Sequence, residues 1–120
     1  MLLIAVLAAS AASVPAGRFH TRLVKSTPSK DTLLAAAPVA LELWFSEQID
    51  LAASRVQLVD AAAKVVPLAP LTQIAAQTDA PVVARIAGPV APGSYTVNWS
   101  AASGDGHAVR GSFGFTVRKP

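Results

Sequence analysis

The chain has 120 residues, 52% of them apolar, with ten Lys or Arg against seven Asp or Glu and a formal net charge of +3 at pH 7. That length allows one modest core and excludes a multidomain chain, while basic residues scattered from Arg18 to Lys119 among interspersed acids do not form the clustered face that nucleic-acid binding requires. There is no cysteine and Met1 is the sole methionine, so a metal site in this chain must be built from nitrogen and oxygen, which favours Cu(II), Zn(II) or Ni(II) over Cu(I).

Met1 to Gly17 is rich in Ala and Leu, carries no charge and ends in small residues, the character of the apolar region of a secretory signal, and it is short for a transmembrane span. Residues 1–19 are therefore expected to form a signal peptide, cut between 16 and 19. Residues 20–118 are expected to form one exported domain, periplasmic or extracellular, with no stable membrane insertion after cleavage.

From His20 the pattern changes to short extended pieces. His20-Thr21-Arg22-Leu23-Val24 reads as a first strand, closed by Ser26-Thr27-Pro28-Ser29. Entered from Pro38, Val39, Leu41, Leu43 and Phe45 alternate with Ala40, Glu42, Trp44 and Ser46, the period of a half-buried strand, and Trp44 on the outer side implies that this side is also partly covered. Arg55 to Val59 is a further strand with Val56 and Leu58 inward. Lys64 to Leu68 pairs with it across Asp60-Ala61-Ala62-Ala63, at an edge, because Pro67 and Pro70 cannot donate to a ladder. Leu71 to Ala80 reads as loop, and Val82 to Ile86 as strand.

Pro92-Gly93 then starts a hairpin whose two arms are Tyr95/Val97/Trp99 and Val109/Gly111/Phe113/Phe115/Val117, joined by the turn-forming stretch Ser100 to Gly106. Short strands at turn-bounded intervals, with no convincing helix after residue 19, predict an all-β sandwich or Greek-key barrel. Leu43, Phe45, Tyr95, Trp99, Phe113 and Phe115 are the expected large contributors to its interior.

The chemistry-bearing residues lie at the tip of that hairpin. Asp105 and His107 are two apart, so in an extended chain both side chains leave on one side, and Gly106 lets the backbone bend between them. By spacing alone the commoner reading is an ordinary Asp-Gly turn beside a solvated histidine. The chain has one other histidine, His20. No serine sits in a Gly-x-Ser-x-Gly elbow, no carboxylate pair flanks a cleft and no glycine-rich phosphate loop is present, so the expectation is that the protein is not an enzyme.

Five ordered segments extend this reading. The chain opens with His20-Thr21-Arg22-Leu23-Val24-Lys25-Ser26-Thr27-Pro28 and continues with Leu41-Glu42-Leu43-Trp44-Phe45-Ser46-Glu47. It closes with Pro92-Gly93-Ser94-Tyr95-Thr96-Val97-Asn98-Trp99, Ser103-Gly104-Asp105-Gly106-His107 and Gly111-Ser112-Phe113-Gly114-Phe115-Thr116-Val117. In these it resembles the CopC/PcoC family of exported copper-binding, copper-resistance proteins. The resemblance implies a cupredoxin-like or immunoglobulin-like Greek-key β-barrel. It implies one Cu(II) site formed by the amine and ring of an amino-terminal His20 together with Asp105 and His107, with Glu47 near the site as a second-shell group. The family's Cu(I) site uses a methionine-rich loop; no methionine lies between Leu51 and Val90 here, so no Cu(I) site is expected.

The function this implies is an extracytoplasmic Cu(II) carrier or buffer in copper homeostasis or resistance, with a copper-transporting membrane protein as partner. The alternative is an immunoglobulin-like adhesion or interaction module in which both histidines are solvated surface groups.

Overall fold

The computed structural model describes residues 21–74 and 79–120. They form an all-β domain of eight strands: β1 Leu23–Thr27, β2 Thr32–Leu34, β3 Ala40–Phe45, β4 Arg55–Asp60, β5 Val65–Val66, β6 Val82–Arg85, β7 Gly93–Ala102 and β8 Ala108–Val117, with a single 3-10 turn at Leu51–Ala53. The strands lie in two separate sheets, one of order β1-β3-β6 and one of order β2-β8-β7-β4-β5. Of the two architectures expected, an open sandwich is therefore the one formed.

Alternation dictates which faces meet. In β3 Leu41, Leu43 and Phe45 are buried while Ala40, Glu42 and Trp44 are not, and in β7 and β8 Tyr95, Val97, Ala101, Phe113, Phe115 and Val117 point inward. Together with Leu58, Val82 and Ala84 these residues form one cluster between the sheets, and Trp99 packs against it partly exposed. Each fully buried aliphatic side chain contributes about 1.5–3 kcal/mol relative to exposure. Tyr95 and Phe115 stack at 5.5 Å between ring centroids. The Tyr95 hydroxyl donates to the Ala91 carbonyl at 2.6 Å, fastening the turn before β7 to its first turn of strand, as Greek-key sandwiches do with a corner tyrosine.

Trp44 is covered as its position implied: it lies opposite Lys25 in the β1–β3 pairing, and the Lys25 ammonium sits 4.6 Å from its ring centroid. β5 is an edge strand, paired only with β4. The segment after it crosses to the other sheet, where isolated bridges Leu68–Ile86 and Thr72–Val83 cover the free side of β6. Thr72 thus carries one rung of ladder inside a stretch expected to be loop.

Two expectations shift. The first strand begins at Leu23 and runs through Ser26 and Thr27, residues read above as its terminator; the break falls instead at Pro28. The three-residue strand β2 was not foreseen. It pairs in parallel with the end of β8, Thr32 to Phe115 and Leu34 to Val117, after Asp31 turns the chain at φ 59° and donates its N–H to the Gly114 carbonyl at 2.7 Å. Aspartate is among the few residues that tolerate this left-handed conformation.

Candidate metal centre

The β7–β8 ladder is the longest in the fold, running from Gly93–Val117 to Ala102–Ala108. Strand β7 continues three residues beyond Trp99, so the connection is residues 103–107 and shorter than the turn-forming composition implied. Within it Ser103 N–H donates to the His107 carbonyl at 3.1 Å and Gly106 N–H to the Ser103 carbonyl at 3.0 Å, with Gly106 at φ 85°, a conformation glycine adopts without steric cost.

Asp105 and His107 do converge, but through a turn rather than an extended strand. Asp105 Oδ1 accepts from His107 N–H at 2.9 Å, an Asx-turn, and also from the Ser103 hydroxyl. Asp105 Oδ2 faces His107 Nδ1 at 3.3 Å. These contacts depress the Asp105 carboxyl to about 2, the Ser103 hydroxyl contributing most, then the His107 N–H and then the ring. An ionised carboxylate only accepts hydrogen bonds, so the nitrogen that faces it carries the hydrogen. In the neutral ring the lone pair then lies on Nε2. The His107 side chain is 86% exposed, so that lone pair is presented to solvent. A carboxylate on one ring nitrogen with the other free is the arrangement in which a histidine binds a metal best.

Two further segments reach the same end of the sandwich. Glu47 accepts a hydrogen bond from the hydroxyl of Thr21, which is only 2% exposed. Ser46 N–H donates to the Arg22 carbonyl at 2.9 Å and Arg22 N–H to Ser46 Oγ at 3.0 Å. The strand-end loop that holds Thr21 is itself joined to the Asp105 loop: Ile49 bridges Ser103, and Asp50 N–H donates to the Ala102 carbonyl at 2.8 Å.

The anticipated site residues are therefore placed as follows. Asp105 and His107 form one exposed pair. Glu47 anchors the residue that follows His20. His20 itself, with the expected signal segment and its cleavage point, lies outside the described residues. Among the described residues no group of three His, Cys, Asp or Glu could hold an ion, so the Asp105–His107 pair needs donors from elsewhere to complete a site. Thr21 and Ser103 are the functional neighbours not singled out from the sequence. Ser103 stood in the Ser103-Gly104-Asp105-Gly106-His107 motif without a role of its own, although serine hydroxyls commonly bond locally in turns.

The class this defines is a small two-sheet β-sandwich with an oriented imidazole on its longest hairpin and the start of the described chain fastened at the same end. The chain belongs to the CopC family, matching the CopC domain over residues 23–118. It is similar to copper resistance protein C of Pseudomonas syringae pv. tomato, 35% identical over 103 residues, covering 82% of this chain and 81% of that one. Its fold is similar to the crystal structure of CopC from Methylosinus trichosporium OB3b, with a TM-score of 0.74, 31% identity and coverage of 82% of this chain and 93% of that one. It is also similar to PcoC, a methionine-rich copper resistance protein from Escherichia coli, with a TM-score of 0.67, 30% identity and coverage of 82% and 99%.

Proposed function

We propose that this protein binds Cu(II) outside the cytoplasm and serves copper resistance or homeostasis as a carrier or buffer rather than as a catalyst. The observation that carries this reading is the Asp105–His107 pair, in which the carboxylate fixes the ring so that Nε2 is offered to solvent. Family membership supports copper handling over the adhesion-module alternative, since relatives matched over four-fifths of the chain are named for copper resistance.

The proposed ligands are His20, Asp105 and His107. His20 is one peptide bond from Thr21, which Glu47 fastens, so Glu47 acts on the site by positioning the chain beside His20. Cleavage before His20 would free its amine, giving an amine–imidazole chelate. His107 would add Nε2, with Asp105 Oδ2 holding the ring from Nδ1; to become a ligand itself, Asp105 would swing that oxygen off the ring and onto the metal. Imidazole and carboxylate donors suit Cu(II), which heads the divalent affinity order. One copper per chain is proposed, with a copper-transporting membrane protein as the recipient or donor.

The test is the mature terminus. Mass spectrometry of the exported protein should show His20 first, and adding one residue before it should change the Cu(II) electron paramagnetic resonance spectrum. A mature chain that begins at Gly17 with the same spectrum and affinity would remove the amine from the site.

A further inference from the structure

The outward face of the five-stranded sheet carries a feature that metal binding does not use. Arg55 on β4 pairs with Ser100 on β7, and Ser100 pairs with Arg110 on β8, so the three side chains stand in one row on one face. Two inter-strand spacings put the arginine Cα atoms about 10 Å apart. The next row along the strands is Gln57, Asn98 and Ser112. Between the arginines lies an open trough of about 500 Å³, whose lining includes Ser100, Asn98 and Ala108, the neighbour of His107.

Three properties point to an anion. No acidic residue lines the trough, and among the described residues neither arginine has a carboxylate within salt-bridge distance. Both arginines are exposed, so their guanidinium forks are not consumed by the fold. Flanking hydroxyl and amide groups add neutral donors between the two charges. Guanidinium forks match carboxylates bidentately, and a pair about 10 Å apart at Cα, converging on one trough, suits a ligand with more than one carboxylate better than a single compact anion.

We propose that this trough binds a small polycarboxylate of citrate size, beside the Asp105–His107 loop but independently of it. One carboxylate pairs with Arg55, another with Arg110, and Ser100 and Asn98 donate to the oxygens between them. The site does not rest on the copper reading. Because Ala108 borders it, a polycarboxylate seated there lies next to the hairpin tip, where it can accompany a metal ion held at that tip.

The test uses the metal-free full chain, titrated with citrate and separately with inorganic phosphate, and followed by amide NMR shifts. Citrate should give saturable shifts at Arg55, Asn98, Ser100 and Arg110, with phosphate weaker by about tenfold or more. Arg55→Gln and Arg110→Gln should each weaken citrate binding about tenfold, and Arg55→Lys, which keeps charge but loses the fork, should fall between. His107→Ala should leave citrate binding unchanged, which separates this site from the copper site. Absence of saturable shifts, equal binding of phosphate, indifference to the arginine substitutions, or loss of binding in His107→Ala would each overturn the proposal.

Discussion

Gly111 lies directly opposite Trp99 in the β7–β8 ladder, and there the absence of a side chain is what lets the sheet form. A Cβ at this position would stand 2.5 Å from Trp99 Cζ2 and 2.7 Å from Cε2. The indole packs edge-on against Phe45 with centroids 5.4 Å apart and an interplanar angle of 65°, so yielding to the new Cβ, even into the open pocket of about 340 Å³ that it lines with Gly111, breaks that contact. Overpacking of this kind costs about 1–3 kcal/mol. Against it stands the usual gain of about 0.5–1 kcal/mol when alanine replaces glycine within a strand. The steric term wins, leaving a net loss of about 1–2 kcal/mol. In a domain near this size each kcal/mol moves Tm by about 4–8 °C, so Gly111→Ala should lower Tm by roughly 5–15 °C. Thermal denaturation followed by circular dichroism reads this directly. In a Trp99→Leu background the clash is gone, and the same substitution should be neutral or stabilising. If Gly111→Ala costs as much in that background as in the parent chain, the Trp99 contact is not the cause and the reasoning fails.

Three other outcomes follow from named contacts. Burial, and then the charge of Asp60, raise the Tyr95 phenol above its ordinary value of 10.0. A raised folded value means that this stability is complete below pH 10 and is lost as pH rises through the folded value; Tyr95→Phe should therefore flatten the alkaline limb of the stability profile while costing about 1 kcal/mol at neutral pH through the lost bond to Ala91. For Asp105 the sign is opposite: its depressed carboxyl favours the ordered loop above pH 3.8, an advantage lost as pH falls through about 2, and a carboxyl NMR titration should show that midpoint. Ser103→Ala should move the midpoint back up toward 3.8, because the Ser103 hydroxyl is the largest cause of the depression; an unmoved midpoint would contradict the assignment. With Met1 as the only methionine, competition against a Cu(I) chelator should show weak Cu(I) binding, since thioethers are the donors that favour the soft ion, and tight stoichiometric binding would contradict the donor set.

Much of this fold was legible because its strands are half-buried and alternate cleanly. β3 declares its inner face in Leu41, Leu43 and Phe45, and the β7–β8 hairpin does so in Tyr95, Val97, Phe113, Phe115 and Val117, but not at Ser100 to Ala102, which end β7 without alternating and read as connection. What was not legible depends on partners distant in sequence. β2 has no alternating pattern of its own and exists because the end of β8 offers a free edge. Thr72 likewise reads as loop until β6 supplies its rung. The Asp105–His107 pair could be proposed from spacing, but the way it forms could not. An extended segment and an Asx-turn both bring i and i+2 together, and only the bonds from Ser103 and the His107 N–H to Asp105 decide between them. The fastening of Thr21 by Glu47 joins residues 26 apart in the chain, which no local pattern reveals.

The central claim is that His107 and His20 share one Cu(II). The measurement that tests it most directly is Cu(II) affinity, by competition with a chelator of known strength, for the mature protein and for His20→Ala, His107→Ala and Asp105→Asn. Each histidine substitution should weaken binding severely. Asp105→Asn should weaken it by roughly 10–100-fold, the loss typical of a group that orients a ligating histidine. Binding should release protons and weaken on acidification, because a ligating imidazole nitrogen must carry no hydrogen and a ligating amine must have lost its ammonium proton. One Cu(II) per chain, lost with either histidine, is the result expected; unchanged affinity and spectrum in both His20→Ala and His107→Ala would contradict the account.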